Sequence, residues 1–295
     1  MPRYRLTIEY AGTRYSGWQI QKNARTVQGE LDRAVRTVTG RQDFELYGSG
    51  RTDAGVHALA QVAHLDMATN LPPSTLVQRL NDELPADINV LGAAQAPHRF
   101  HARHSAVARR YVYQIARRRT AFAKPYVWWV REPLDVHAMR EAAAAFVGMQ
   151  DFQSFTASDP RERDTDDPEA SGSRTEGRST LVLVDCVEIR EDGDLLLVAI
   201  QGSHFLWKMV RRLVGVLVEI GRGGLTPGAA RALLTARSEL PARLTAPASG
   251  LFLERVFYKG DPLDVPVRVP TPLGASTPDR RTPSEVPSTS RTTSV

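Results

Sequence analysis

The chain has 295 residues, 42% of them hydrophobic, enough for two modest domains with cores of their own. A net charge of +5, from 38 Lys and Arg against 33 Asp and Glu, leans weakly towards polyanionic partners, and a single cysteine, Cys186, excludes an internal disulfide. No membrane-length apolar stretch or secretory-type leader is recognisable, so a soluble, cytoplasmic protein is expected. Lys22, Lys124, Lys208 and Lys259 are the only lysines. Arginine supplies nearly all the positive charge; its planar fork suits phosphates, although the codon bias of a GC-rich genome gives the same preference.

In chain order, Tyr4, Leu6, Ile8 and Tyr10 alternate with polar residues and predict a strand. Val27, Leu31, Ala34, Val35 and Val38 follow at helical spacing. Strands near 44–48 and 59–66 come next, then a helix through Leu76, Val77, Leu80 and Leu84 behind Pro72 and Pro73, and a strand over 87–91. The order βαββαβ is that of a ferredoxin-like unit. A second pass of the same plan predicts a strand over 109–116, a helix over 136–147 and strands over 181–190 and 194–201. It closes with a helix over 206–220, a short helix after Thr226-Pro227 and a strand over 251–258. The expected fold is therefore α+β, with an N-terminal half over 1–106, a C-terminal half over 107–260 and a ligand cleft between them. Residues 157–179 carry almost nothing to bury and are expected to form a mobile loop; 261–295 are read as a disordered tail.

The most informative stretch is L-Y-G-S-G-R-T-D-A-G-V-H-A-L-A-Q-V-A-H-L-D over 46–66. It presents Asp53 on a loop containing Gly48, Gly50 and Gly55, two residues after Arg51. Those glycines are expected to let the loop turn sharply, and Arg51 to hold the Asp53 carboxylate ionised and oriented. A fixed carboxylate is a nucleophile or a base. The bland alternative is a hairpin turn whose aspartate bonds its own backbone; a phosphate loop is excluded because no Lys-Ser/Thr follows the glycines.

The string G-R-T-D-A-G-V-H-A-L-A-Q-V-A-H resembles the active-site motif of the TruA family of tRNA pseudouridine synthases. The likeness continues in family order through Y-A-G-T-R-Y-S-G-W-Q from Tyr10, T-V-Q-G-E-L from Thr26 and L-N-D-E-L-P-A-D-I from Leu80. F-H-A-R from Phe100, A-R-R-Y-V-Y from Ala108, D-F-Q-S-F from Asp151 and F-L-W-K-M-V-R-R-L-V-G from Phe205 complete it. It covers about residues 3–259, and the longer, charged 157–179 segment and the tail depart from it. The resemblance implies that Asp53 is the catalytic residue, that Tyr111 contacts the target uracil and that Arg211 lines the same pocket. It implies two α/β halves around a central antiparallel sheet and a homodimer across which one tRNA lies. The implied reaction is isomerisation of uridine to pseudouridine at positions 38, 39 and 40 of the anticodon stem-loop, Asp-initiated, with no metal or cofactor. Two other readings remain open at this point: a catalytically silent tRNA-binding or folding module, and a synthase acting on other RNA uridines.

In the predicted helix over 206–220, Arg211 lies off the apolar stripe, and Gly215 is expected to leave it room to enter the cleft; Lys208 and Arg212 share another face, a solvated basic one in the plain reading. His98, His101 and His104 recur with a period of three that fits no common metal-binding arrangement. They are read with Arg99, Arg103, Arg109, Arg110, Phe100 and Tyr111 as part of a nucleic-acid-facing surface.

Overall fold

The computed structural model describes residues 1–157 and 179–273. The expected mobile loop, but for its two end residues, and the tail from residue 274 onward lie outside the described residues.

Alternation makes β1 (Arg3–Tyr10) a half-buried strand, with Tyr4, Leu6, Ile8 and Tyr10 all facing the core. Helix α1 (Val27–Thr39) starts where Thr26 accepts a hydrogen bond from the Gly29 amide and stops at Gly40 in the left-handed region. Strands β2 (Glu45–Gly48) and β3 (His57–Asp66), helix α2 (Pro73–Glu83) and strand β4 (Ile88–Ala96) complete the first set. The second comprises β5 (Ala106–Ala116), β6 (Trp128–Trp129), α3 (Val136–Ala144), β7 (Gly148–Asp151), β8 (Leu181–Asp192), β9 (Leu195–Gly202), α4 (Met209–Gly221), α5 (Ala229–Thr235), α6 (Leu240–Arg243) and β10 (Leu251–Tyr258).

These strands make one mixed sheet in the order β4-β1-β3-β10-β5-β9-β8-β7, with β2 on β3 and β6 on β5. It is not wholly antiparallel. The seam pairs β10 with β3 in parallel through Phe252 with His57 and Leu253 with Ala58, whereas β3 runs antiparallel to β1, and β10 to β5. His57 and Ala58 come immediately after the loop that carries Asp53, so the two sets of elements join at the root of that loop.

Two cores cover one face of the sheet: Leu31, Val35, Leu76 and Leu80 of α1 and α2 pack on β1 and β3, while Met139, Leu213 and Leu217 of α3 and α4 pack on β5, β8 and β9. Tyr111 touches both. The opposite face carries a third cluster around Val112, Leu197 and Ala199.

That third cluster corrects the reading of the tail. Val267 is only 1% exposed within it. The backbone after Gly260 also bonds the sheet: the Val265 carbonyl accepts from buried Arg110 and the Val267 carbonyl from exposed Arg190, while Thr271 bonds the buried Gln114 side chain. Apolar periodicity missed this because a strap crossing a sheet has no period. Deleting 262–295 should therefore lower the melting temperature, by an amount equivalent to about 3 kcal/mol from the loss of the Val267 contacts that cover Val112, Leu197 and Ala199 and of the carbonyl that Arg110 donates to. Truncation after Leu273 keeps every one of these contacts. Equal melting temperatures for the two truncations, measured by calorimetry, would contradict the strap.

Arg110 is a second correction. Rather than facing RNA it is 2% exposed, paired with Glu254 at 2.9 Å and Glu188 at 3.5 Å under the strap, and burial raises the Glu254 carboxyl above its ordinary value. Alternation explains this: neighbours on β5 point to opposite faces.

Candidate active site

The loop between β2 and β3 is held from below by the segment over 10–18. Tyr10 Oη and Thr52 Oγ1 lie 2.8 Å apart, the Trp18 amide donates to the Thr52 carbonyl, and the Gly55 amide donates to the Tyr15 carbonyl. Gly17 is required twice over: its φ is +95°, and a Cβ there would lie 2.4 Å from the Thr52 oxygen. Gly55, with φ +80°, makes the turn after Asp53. Gly50 has open space beside it and no positive φ, so the role expected of it is not needed. Gln61 closes the loop on its other side, accepting from Ser49 Oγ at 2.6 Å and donating to the Gly50 carbonyl at 3.0 Å.

The carboxylate so presented is shared between the two sets of elements. Trp207 Nε1 donates to Asp53 Oδ1 at 3.0 Å, and Arg211 Nη1 donates to Asp53 Oδ2 at 3.1 Å. The Arg211 and Asp53 side chains are 16% and 18% exposed, open enough for a ligand yet shielded enough for the pair to count. Arg211 is itself fixed, because its Nε donates to the Ala246 carbonyl at 2.7 Å. Gly215 matters for a different reason from the one expected: a Cβ there would lie 1.7 Å from the Leu244 oxygen. The space belongs to the 244–246 backbone, which in turn delivers the Ala246 carbonyl to Arg211.

Arg51 does not do what the loop spacing suggests. Among the described residues, the hydrogen bonds to the Asp53 carboxylate come from Trp207 and Arg211, and Arg51 is not a donor to it. Tyr111 does lie at the site. It is half-buried, edge-on to Phe205 with ring centroids 5.3 Å apart, and its hydroxyl is pushed up to about 12 by burial, with Arg109 opposing and Asp53 adding to the shift. It stays protonated across the neutral range. Arg109 links the pieces: it donates to the carbonyls of Ser49 at 3.2 Å, Arg103 at 2.8 Å and Ser203 at 2.8 Å.

The family model for tRNA pseudouridine synthases matches residues 6–105 and 142–259. The chain belongs to the tRNA pseudouridine synthase family. It is 42% identical over 262 residues to tRNA pseudouridine synthase A of Rhodopseudomonas palustris strain BisA53, covering 88% of this chain and 100% of that one. Over 257 residues it is 39% identical to the protein of that name in Halalkalibacterium halodurans, covering 86% and 92%. Over 271 residues it is 41% identical to the one in Nitrobacter winogradskyi, covering 91% and 99%. The protein is thus an isomerase that makes pseudouridine, which removes the silent-module reading.

In this synthase the motif's histidines are structural. His57 is 1% exposed; its Nδ1 accepts from the Gly12 amide at 3.0 Å, so the proton sits on Nε2, which donates to the Pro125 carbonyl at 3.0 Å. Its ring stacks on Phe252 across the seam. His64 Nδ1 accepts from the Ala102 amide, and His101 Nδ1 accepts from the amides of Arg103 and His104. Sequence reasoning gave His57, Gln61 and Trp207 no role. His98, Arg99, Arg103 and His104 are exposed, whereas Arg109 and Arg212 are not part of a solvated face: Arg212 is 7% exposed, donates to the Thr156 carbonyl, and is held below its ordinary value by burial. Among the described residues no group of three or more His, Cys, Asp or Glu has metal-holding geometry. No helix among them is long and apolar enough to cross a membrane.

Burial holds the His57 imidazole below its ordinary value of about 6.5. Above that pH both folded and unfolded chains carry it neutral and its contribution to stability is complete. As pH falls below about 6.5 the unfolded chain takes up a proton that the folded protein refuses, so stability declines towards the folded-state value. The melting temperature should drop by a few degrees between about pH 6.5 and 5, less steeply in His57→Gln. A slope unchanged by that substitution would remove His57 as the cause.

Proposed function

We propose that this synthase converts uridine to pseudouridine at positions 38, 39 and 40 of the tRNA anticodon stem-loop, with Asp53 initiating the reaction at the ribose and no cofactor taking part. The observation that carries the reading is the Asp53 carboxylate at the seam, with one donor on each oxygen and Tyr111 beside it. Asp53 acts on the ribose as base or nucleophile to promote cleavage of the bond from C1′ to N1. The freed uracil turns in the pocket and bonds C1′ through C5; the C5 proton is then lost and N1, no longer bound to C1′, ends protonated. Atoms and oxidation state balance within the one nucleotide, so neither donor nor oxidant is required. Arg211 holds and balances the carboxylate, and Tyr111 packs on the uracil. The base must leave its stack first, at a few kcal/mol, least in a loop or at a weak pair.

The strand order supports reading the chain as two ferredoxin-like halves, 1–106 and 107–260: β4-β1-β3 with β2 on β3, then β10-β5-β9-β8, repeat one pattern. Exposed Arg99 and Arg103 suit phosphate contacts near the cleft. A homodimer spanned by one tRNA, and a cytoplasmic location, complete the proposal.

Tritium release from C5-labelled uridine in an unmodified tRNA transcript tests it. Release should vanish when cytidine replaces the uridines at 38–40. Release that persists from such a transcript points to other RNA uridines as the target.

A further inference from the structure

We propose that Trp207 and Lys208 form a positioning device for the catalytic carboxylate, an inference that rests on the reading of Asp53 given above. An ionised carboxylate offers about four lone-pair positions. One donor on each oxygen, Trp207 Nε1 on Oδ1 and Arg211 Nη1 on Oδ2, fixes the plane of the group and leaves a lone pair on each oxygen for the ribose. The two donors are not equivalent. Arg211 carries charge, and a second cation in place of Trp207 would damp the carboxylate's reactivity; the indole N–H is neutral and donor-only, so it orients without cancelling charge.

Two further features bear on the same side chain. Lys208 has φ 61° and ψ 4°, the only positive φ outside glycine among the described residues. A lysine has no side-chain reason to favour the left-handed region, and strain of this kind persists only where the surroundings enforce it. It turns the chain immediately before α4, so that the indole reaches Asp53 from the loop while the guanidinium reaches it from the first turn of the helix. The Lys208 ammonium also lies 4.3 Å from the centroid of the Trp207 ring. A cation over the face draws on the ring's electrons, holds the indole in place and strengthens its N–H as a donor.

The test separates positioning from packing. Trp207→Phe keeps a ring under the Lys208 cation and removes only the donor. At saturating tRNA its kcat should fall about 10- to 100-fold, with KM for tRNA changed by less than about threefold and the melting temperature lowered by no more than a few degrees. Lys208→Gly relieves the left-handed strain and removes the cation, so its melting temperature should hold or rise while kcat falls. A Trp207→Phe enzyme with wild-type kcat overturns the inference, as does one whose KM rises at unchanged kcat, which would make the ring a substrate contact. So does a Lys208→Gly enzyme that loses stability and turnover together. Asp53→Asn assayed alongside keeps the two readings apart: turnover by that variant defeats the role of Asp53, whereas its inactivity beside a fully active Trp207→Phe defeats only the role of Trp207.

Discussion

Asp53→Asn should lower pseudouridine formation by roughly three orders of magnitude or more, equivalent to about 4 kcal/mol on the barrier, while tRNA affinity shifts by less than about tenfold. Asparagine matches the carboxylate in size but cannot act as base or nucleophile. It also offers one acceptor oxygen where Trp207 and Arg211 present two donors, so one of them loses its partner. That mismatch costs about 1 kcal/mol of stability, far less than the loss in rate. Removing the negative charge leaves Arg211 uncompensated, which favours phosphate, so binding should hold or tighten. Single-turnover tritium release with enzyme in excess, beside filter binding of the same tRNA, measures both quantities. Turnover above a few per cent of wild type sinks the assignment.

The loop carrying Asp53 was legible because its chemistry is local: motif, turn residues and flanking strands lie within about twenty residues. What holds the carboxylate was less so. Trp207 and Arg211 lie 154 and 158 residues away, and the apolar period from Leu206 to Ile220 reads as one helix. The left-handed Lys208 starts α4 at Met209 and leaves Trp207 outside it. Periodicity cannot register a single residue with the wrong sign of φ. Arg51 was a natural partner for Asp53 by proximity in sequence, yet a donor on the opposing elements has the better line to the carboxylate.

The same limits appear elsewhere in the fold. Strands β6 and β7, of two and four residues, are too short to show alternation. Arg110 and Tyr111 read as one basic-aromatic cluster, but adjacent residues on a strand face opposite ways, and only the ring reaches the cleft side. Val267 lies in a stretch whose Pro, Ser and Thr content suggests disorder; three carbonyl and side-chain contacts to Arg110, Gln114 and Arg190 on the sheet order it instead. For the strap it is a non-local partner, absent from any sequence window, that decides the outcome.

Tyr111→Ala should reduce turnover by about 100-fold or more, whereas Tyr113→Phe should leave kcat near wild type and lower stability. The two tyrosines share a face of β5, so alternation does not distinguish them; burial does. Tyr113 is 0% exposed, its hydroxyl donates to the Pro247 carbonyl at 2.8 Å, and its ring is so closely packed that a Cβ on Gly250 would lie 2.5 Å from it. Losing that hydroxyl leaves a carbonyl unpaired and costs about 1–3 kcal/mol of stability without touching the cleft. Tyr111 is half-buried, edge-on to Phe205 and within electrostatic reach of Asp53. Its ring can stack on a base, a contact worth about 1–3 kcal/mol, and its hydroxyl, pushed up to about 12, can act only as a protonated donor or relay at neutral pH. Tyr111→Phe distinguishes the two: retention of most activity assigns the role to the ring face, and a loss as deep as that of Tyr111→Ala assigns it to the oxygen. Wild-type turnover by Tyr111→Ala, with turnover lost in Tyr113→Phe at unchanged melting temperature, would move the uracil contact off Tyr111 altogether.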